Sequence, residues 1–371
     1  MTLYSEYKQY DDPIWVAARQ ALALSNTRIA HIDTGLFAHP SLGFVNGQPP
    51  ANVALAEGRN FYDPHVTATP MTDLAQSTDP LGKLIEFPAH GVQTLGVILS
   101  DSPLFKGAAP GAKVIPCRVG NGPVFRNTQS ELAAQANATA RIGRAIDHAL
   151  SLPNPPRVIS ISMGNPGFIP WELFRLLIGG SIGLAKSATT AIERAWSAGV
   201  LVVCAAGQLE HSIIYPALLK QCIAVSGYAI SLAGALSHYP AGVYNNQSRI
   251  DSWALAVGLN RPGGDRINGV IVPNHASTDM SPTKPTGTSY AAPFVAAGYA
   301  LCFEKFRPIL TSAEFSGPNA WRRIETFRRI LRQSMPVLVA NSGTSNQSDL
   351  AIRPLDIVRL LTVPPEIAGP V

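Results

Sequence analysis

The sequence predicts a three-layer α/β fold, in which helices cover both faces of a mostly parallel central sheet. Short apolar, β-branched runs alternate with longer segments of helical periodicity along the 371 residues. The runs at residues 158–162 and 200–205 carry no charge, as expected for strands that are buried on both faces. Only 14% of the residues are charged, against about 25% in typical soluble chains. This balance indicates a large core and excludes a disordered chain.

In chain order, the predicted elements alternate between the two types. Strands are expected at residues 28–32, 112–119, 158–162, 200–205 and 222–226, and helices at residues 91–99, 130–150 and 185–198. Ligand sites in parallel sheets lie outside the carboxyl ends of the strands. The residues that follow these strands are therefore the place to look for chemistry.

The chain is predicted to form one domain, residues 28–371, preceded by an N-terminal arm at residues 1–27. Two insertions, at about 44–86 and 231–285, have the Gly-, Pro- and Asp- or Asn-rich composition of loops. A helical segment is expected at about 310–371. Its arginines are predicted to form the solvated face of a helix, opposite an apolar face. The arginines are Arg322, Arg323, Arg328, Arg329 and Arg332, and the apolar residues are Ile324, Phe327, Ile330 and Leu331.

The net charge of +5 comes without a basic motif interleaved with aromatic residues, so nucleic acid is not an expected partner. Free, buried thiols suited to a reduced compartment are predicted at Cys117, Cys204, Cys222 and Cys302. The first residues lack the basic and apolar regions of a signal peptide. The longest apolar run, residues 200–206, falls short of the ~20 residues that span a bilayer. We therefore expect no membrane association and a cytoplasmic location, with secretion of a processed form left open.

Three short motifs carry residues that are suited to catalysis. Asp33 follows the first predicted strand and precedes a Gly turn, although a turn or helix-cap aspartate fits the same pattern. His90 opens a predicted helix that contains Gly91 and Gly96, two small residues that indicate close packing against a neighbour. A lone histidine in such a place is more often structural.

The third motif, G-T-S-Y-A-A-P, is specific by itself. Ser289 is expected to start a helix with Pro293 in its first turn, where a missing N–H costs little. The free N–H groups of a helix start stabilise developing negative charge. Ser289 is therefore a candidate nucleophile.

Together the three motifs resemble the subtilisin-like serine peptidases (the subtilases, family S8), whose triad runs Asp, His, Ser along the chain. The resemblance covers about residues 28–360 and includes the segments at 107–114 and 160–164. Elbow-type α/β-hydrolases need a histidine after the nucleophile, and no histidine follows His275. Sedolisin relatives use a carboxylate as the base, which His90 argues against.

The resemblance implies that Ser289 attacks the peptide carbonyl, that His90 accepts its proton and that Asp33 orients the imidazole. It also implies an extended protein or peptide substrate between residues 118–124 and 162–164. Because no acidic cluster adjoins these segments, an apolar preference is expected at the first specificity pocket rather than a basic one. The substrate-binding residues carried over are Arg118, Val119, Gly120, Ser162, Met163 and Gly164, with Ala205, Ala206 and Gly207 at the pocket.

The chain departs from the family pattern at Gln208, where an asparagine normally donates to the oxyanion alongside the backbone N–H of Ser289. Loss of one such donor slows catalysis by about 10²–10³. Three readings stay open: an active serine endopeptidase, an impaired pseudo-peptidase that acts as a binding or regulatory protein, and a peptide cyclase or transferase.

No cofactor or metal is predicted, although relatives often bind structural calcium. Asp63, Asp73, Asp79 and Asp101 are candidate ligands, but their spacing is more typical of solvated turn residues. The residues before the first strand are too few for the inhibitory pro-domain of secreted relatives, so the chain is expected to be either a processed form or an intracellular type that folds unaided. A slow oxyanion hole, a covering loop or an inhibitory partner would then restrain the activity.

Overall fold

The central feature of the computed structural model is one large sheet with helices on its two faces. The structure describes residues 13–62, 64, 68–71, 89–102, 106–120, 122, 132–164, 183–208, 212–230, 236–238, 247–257, 259–267, 270–278, 287–340 and 350–366. The helices of these residues are α1 (Pro13–Gln20), α2 (His90–Leu99), α3 (Leu132–Ser151), α4 (Gly183–Ser197), α5 (Thr288–Lys305), α6 (Arg307–Leu310), α7 (Arg322–Arg329) and α8 (Ile357–Thr362). The strands are β1 (Arg28–Asp33), β2 (Arg59–Asn60), β3 (Lys113–Arg118), β4 (Val158–Ile161), β5 (Leu201–Ala205), β6 (Cys222–Ile230), β7 (Leu236–His238), β8 (Ser252–Leu255), β9 (Asn260–Ile267), β10 (Val270–Thr278), β11 (Leu338–Ala340) and β12 (Leu350–Ile352).

The large sheet has the order β2-β3-β1-β4-β5-β6-β7, and β8 also pairs with β6. Its strands run parallel except for the antiparallel pair of β6 and β7. In this order β1 lies between β3 and β4, with Asp33 opposite Arg118 and Ile32 opposite Ile161. The residues of β1, β4 and β5 are all buried, which confirms that these strands lie inside the molecule.

Helices pack against both faces of this sheet, which makes the predicted three layers. The pair α3 and α4 covers one face, with contacts from α3 to β1 and β3 and from α4 to β5. On the other face α5 crosses β4, β5 and β6, and α2 packs beside it. The five predicted strands and three predicted helices are confirmed to within a few residues at each end. Among the described residues, no helix combines the length and the apolar character needed to cross a membrane.

The predicted N-terminal arm is part of the packed core over residues 13–20. Trp15 of α1 is fully buried, and its ring lies 4.5 Å from the ring of Phe294 in α5. The helix α1 thus packs against α5 and α8.

The insertion at 231–285 is also more ordered than its composition predicts. It supplies β7 and β8 to the large sheet and folds back on itself as the antiparallel hairpin of β9 and β10. This hairpin packs against α2 at Gly96, where an added Cβ would lie 2.1 Å from Cδ of Pro262. The described part of the insertion at 44–86 likewise adds β2 to one edge of the sheet.

The arginines of the C-terminal segment do not form one solvated face. Arg323 and Arg328 are buried, contrary to the prediction, and Arg328 forms ion pairs with Glu325 and Asp251. Arg332 also pairs with Asp251. Asp251, a buried carboxylate from another part of the chain, offsets the charges of Arg328 and Arg332, and Arg323 donates to the carbonyl oxygen of Leu310. A helical periodicity by itself does not reveal such partners. The apolar face is confirmed, since all four of its predicted residues are buried.

All four cysteines are free and buried, as predicted. Burial raises the pKa of Cys117 and of Cys302 to about 12. These two thiols therefore stay protonated at neutral pH and behave as small apolar side chains.

Candidate active site

The three candidate catalytic residues lie at the carboxyl ends of the central strands. Asp33 is the last residue of β1, next to the ends of β3 and β4. His90 is the first residue of α2, and Ser289 is the second residue of α5. A parallel sheet places its ligand sites at this edge, so the topology brings together residues that are far apart in the chain.

Asp33 and His90 form a direct hydrogen bond in the protein interior. The distance from His90 Nδ1 to Asp33 Oδ1 is 2.6 Å, the Asp33 side chain is fully buried and His90 is 3% exposed. Because the carboxylate accepts from Nδ1, the imidazole keeps its proton there and leaves Nε2 to accept another. The backbone N–H of Thr34 donates to the same Oδ1 at 2.7 Å.

These neighbours keep Asp33 ionised despite its burial. Burial on its own would raise the pKa of Asp33, because charge is disfavoured away from water. The attraction and hydrogen bond of His90, together with the backbone N–H of Thr34, outweigh burial and hold the pKa of Asp33 below its usual value. The carboxylate can therefore stabilise a positive charge that forms on the imidazole.

The start of α2 is held against the turn that follows β1. The backbone N–H of Gly91 donates to Thr34 Oγ1 at 2.9 Å. A Cβ at position 91 would lie 2.0 Å from the carbonyl oxygen of Gly35, so this approach requires a glycine. The predicted close packing at Gly91 and Gly96 is confirmed, and at Gly91 it sets where His90 meets Asp33.

Ser289 is half-buried at the amino end of α5, and its Oγ donates to the carbonyl oxygen of Ser162 at 2.9 Å. Among the described residues, Ser162 is the hydrogen-bond partner of the Ser289 hydroxyl, and no hydrogen bond joins this hydroxyl to His90. Transfer of a proton from Ser289 to His90 therefore requires the hydroxyl to turn away from Ser162. The helix begins at Thr288, so Pro293 lies in its second turn and not in the first turn as predicted.

The residue after Ser289 connects α5 to α2. Tyr290 Oη donates to Gln93 Oε1 at 2.7 Å, and the Tyr290 and His90 ring centroids are 6.2 Å apart. The guanidinium of Arg261, in β9, lies 4.1 Å from the centroid of the Tyr290 ring. These contacts hold the two helix starts, and with them Ser289 and His90, in a fixed relation.

Gln208 lies just beyond β5, beside the residues that precede Ser289. A Cβ on Gly287 would lie 2.2 Å from Gln208 Oε1 and 3.2 Å from Nε2, so the glycine makes room for this amide. Thr288 Oγ1 accepts from the backbone N–H of Gly207 at 3.1 Å and so ties the end of β5 to the start of α5. The structure thus brings Gln208 next to the helix start that carries Ser289.

The residues assigned to substrate binding lie along the same edge. Val119 and Gly120 extend β3, and the backbone N–H of Val119 donates to the carbonyl oxygen of Asp33 at 3.0 Å. The guanidinium of Arg118 lies 5.3 Å from the centroid of the Tyr62 ring. The other candidates, after β4 and at the end of β5, are Ser162, Met163, Gly164, Ala205, Ala206 and Gly207, all buried. Residues 121 and 123–124 of the predicted segment lie outside the described residues.

Two polar side chains beside Asp33 escaped the sequence analysis. Thr94 Oγ1 donates to Asp33 Oδ2 at 3.1 Å, and His31 Nε2 lies 2.9 Å from Thr94 Oγ1. The spacing of His31 and Thr94 from the catalytic candidates along the chain could have indicated them. His31 and Asp33 are two apart on a strand, and His90 and Thr94 are four apart on a helix, so each pair shares a face.

The candidate calcium ligands are mostly outside the described residues, where Asp63, Asp73 and Asp79 lie. Asp101 forms an exposed ion pair with Lys106. Within the part of the chain that the structure describes, no group of three or more His, Cys, Asp or Glu side chains is arranged to hold a metal ion.

Comparison with known proteins agrees with this arrangement. The sequence model of the subtilase family matches residues 25–347. The "Major intracellular serine protease" of Bacillus subtilis (strain 168) is 26% identical over 330 residues, which cover 86% of this chain and 80% of that protein.

Two solved structures share the fold. A protease from Pseudoalteromonas arctica PAMC 21717 superposes with a TM-score of 0.59 and 19% identity, covering 93% of this chain and 91% of that one. Fervidolysin from Fervidobacterium pennivorans, a keratinolytic enzyme related to subtilisin, gives the same TM-score and identity over 96% of this chain and 45% of its own. The family match spans most of the sheet and all three candidate catalytic residues, and the chain belongs to the subtilase family of serine peptidases.

Proposed function

We propose that the chain is an endopeptidase in which Asp33, His90 and Ser289 form the catalytic triad and the reaction passes through an acyl-enzyme. The observation that carries this proposal is the 2.6 Å hydrogen bond between His90 Nδ1 and the buried Asp33 carboxylate. It leaves His90 Nε2 as the base, at the same edge of the sheet as the helix start that holds Ser289.

In the proposed reaction, His90 carries a proton from the attacking group to the leaving group in each of two steps. Ser289 Oγ bonds to the peptide carbonyl carbon as its proton passes to His90 Nε2, and Asp33 stabilises the resulting imidazolium. The C–N bond then breaks, and His90 gives the proton to the departing amine. Water attacks the acyl carbon with the help of His90, which releases the carboxylic product and restores the Ser289 hydroxyl.

The topology supports an extended substrate. Beyond Asp33 the chain turns away, whereas β3 and β4 are continued by residues 119–120 and 162–164. Neighbouring strands lie about 4.8 Å apart, so the gap left in line with β1 is about 10 Å wide and admits one more strand. A peptide in this gap pairs with both segments and presents its carbonyl near Ser289. An apolar preference at Ala205, Ala206 and Gly207 stays a prediction.

We also propose that the Gln208 amide donates to the oxyanion together with the backbone N–H of Ser289. Gln208→Ala is then expected to lower kcat by about 10²–10³ with little change in KM, because the donor acts mainly on the transition state. Steady-state cleavage of a fluorogenic peptide measures this change. Gln208→Glu is the matched control, since it keeps the size but replaces the donor by a negative charge, and it should be at least as slow. Unchanged kcat in Gln208→Ala would exclude Gln208 as a donor.

An active-site label tests the triad directly. A fluorophosphonate is expected to bond to Ser289 Oγ with loss of fluoride and to abolish casein cleavage in the same proportion as the label is incorporated. Peptide mapping by mass spectrometry locates the adduct among the many serines. An adduct at another serine, or full cleavage by the labelled protein, would exclude Ser289 as the nucleophile.

Fluorophosphonate labelling, combined with the masses of the products, also distinguishes an endopeptidase from the two alternatives, a pseudo-peptidase and a cyclase or transferase. A pseudo-peptidase neither takes up the label nor cleaves. A cyclase or transferase takes up the label but yields products in which an amine has replaced water, so a cyclised peptide is lighter than the linear product by one water. An inhibitory partner remains a prediction.

We further propose a cytoplasmic location. The relative from Bacillus subtilis is named an intracellular protease. The four free cysteines of this chain suit a reducing compartment.

A further inference from the structure

A second histidine lies near the Asp33 carboxylate, closest to the oxygen that His90 does not bind. His31 is 1% exposed, and its Nε2 lies 2.9 Å from Thr94 Oγ1, which in turn lies 3.1 Å from Asp33 Oδ2. The direct distance from His31 Nε2 to Asp33 Oδ2 is 3.9 Å, too long for a hydrogen bond. Thr94 therefore lies between His31 and Asp33.

The direction of these hydrogen bonds follows from the number of protons. The single hydroxyl proton of Thr94 has four acceptors within reach, namely Asp33 Oδ2, the carbonyl oxygens of His90 and Gly91, and His31 Nε2 when that nitrogen carries no proton. Donation to a carbonyl or to His31 would leave the oxygens of Thr94 and Asp33, one of them charged, 3.1 Å apart with no proton between them. The ionised carboxylate is also the strongest of these acceptors. Thr94 thus donates to Asp33, and its own oxygen accepts from His31 Nε2.

The environment keeps His31 neutral, as this arrangement requires. Burial lowers the pKa of His31 to about 4, although the charge of Asp33 opposes the shift. At neutral pH the imidazole therefore carries one proton. The titratable groups that act on it are Asp33 on its own strand and His90 on α2.

We infer that His31 and Thr94 are positioning residues of the proposed triad: a proton on His31 Nε2 fixes the Thr94 hydroxyl, which holds Asp33 Oδ2 so that Oδ1 faces His90. The inference rests on the proposed function for its effect on catalysis. The hydrogen-bond chain itself exists whether or not the protein cleaves peptides.

Kinetics test the effect on catalysis. Thr94→Val keeps the shape but removes the hydroxyl, and it is expected to lower kcat about tenfold with less than a twofold change in KM, because a hydrogen bond to a charged group is lost. The acid limb of the kcat/KM profile, which reports protonation of the base, should move to higher pH, since an Asp33 carboxylate with one donor fewer attracts a proton on the His90 imidazole more strongly. Thr94→Ser, which restores the hydroxyl, should recover kcat to within about threefold.

Two further variants separate positioning from stability. Thr139→Val changes another buried threonine, on α3 at the opposite face of the sheet, and should leave kcat and the pH profile unchanged. The double variant His31→Val/Thr94→Val also removes the imidazole whose Nε2–H would lose its acceptor in Thr94→Val, so that Asp33 Oδ2 is the group that loses a partner. It should unfold at a temperature no lower than that of Thr94→Val yet remain about tenfold slower than the wild type. A stable double variant with wild-type kcat would overturn the positioning role.

A spectroscopic measurement is independent of turnover. Full-length Ser289→Ala protein labelled with ¹⁵N-histidine is expected to show His31 at neutral pH as the neutral Nε2–H tautomer. In the Thr94→Val background, the His90 Nδ1 proton should exchange with water faster, because its acceptor is held less firmly. His31 found as the Nδ1–H tautomer or as imidazolium would overturn the inference. If the wild type does not cleave but these signals appear, the proposed function fails and the hydrogen-bond chain stands.

Discussion

Ser289→Ala is expected to lower kcat by about 10⁴–10⁶ while leaving KM within a few-fold of the wild type, the loss that removal of a triad member causes in subtilisin. Alanine keeps the backbone N–H at the start of α5, so binding and part of the oxyanion site survive. What is lost is the covalent step, since the hydroxyl that bonds to the substrate carbonyl is removed. The measurement is steady-state cleavage of a fluorogenic peptide, with the fluorophosphonate adduct as a count of active sites.

A double variant shows whether the three residues act as a unit. Asp33→Asn by itself is expected to lower kcat about 10⁴-fold, because an amide at this position favours the wrong tautomer of His90. Ser289→Ala/Asp33→Asn should be no slower than Ser289→Ala, since the base has nothing left to activate. Ser151→Ala is a suitable control, because α3 ends there, at the amino edge of the sheet. More than about 1% residual kcat in Ser289→Ala would contradict a role as nucleophile.

Asp251→Ala is expected to lower the free energy of unfolding by about 3–5 kcal/mol, the usual loss when one partner of a buried ion pair is removed. Asp251 is fully buried and accepts from the backbone N–H of Ala224 at 2.9 Å. Arg249 Nη1 and Arg332 Nε donate to its carboxylate at 2.8 and 2.7 Å, and Arg328 Nε lies 3.3 Å away. Removal of the carboxylate leaves these guanidiniums close to one another, with Glu325, beside Arg328, as the remaining carboxylate paired with them among the described residues.

Urea denaturation measures this loss, and a surface pair provides the control. Arg194 and Asp147 form a bidentate ion pair that is about half exposed. Asp147→Ala should cost less than about 1 kcal/mol, because water and salt screen an exposed pair. Equal losses in the two aspartate variants would show that the Asp251 cluster contributes no more than a surface pair.

The positions of the main strands and helices were predictable because their periodicity reports burial directly. The apolar runs at 158–162 and 200–205 are central strands, and Asp33, His90 and Ser289 lie at the carboxyl edge where a parallel sheet gathers its ligands. The motif residues were recognised one at a time, and the topology explains why they meet.

Predictions failed where a charged or Gly-rich segment meets a partner far away in the chain. Arg323 and Arg328 looked solvated because their helix supplies no carboxylate beyond Glu325. Arg323 instead donates to the carbonyl oxygen of Leu310, and Arg328 pairs with Asp251, which immediately precedes β8. The insertion at 231–285 looked like loop because Gly and Pro dominate it, yet it pairs with β6 and packs against α2. Composition describes a segment alone, whereas burial depends on what covers it.

The sequence by itself determined the family, the order of the catalytic residues and the alternating architecture, since each of these is written in short motifs and local periodicity. The tertiary structure decided the direction of the Ser289 hydroxyl, the place of Gln208 beside Gly287 and the hydrogen-bond chain from His31 through Thr94 to Asp33. Hydrogen bonds form only within about 3 Å, a distance set by packing between elements and not by spacing along the chain.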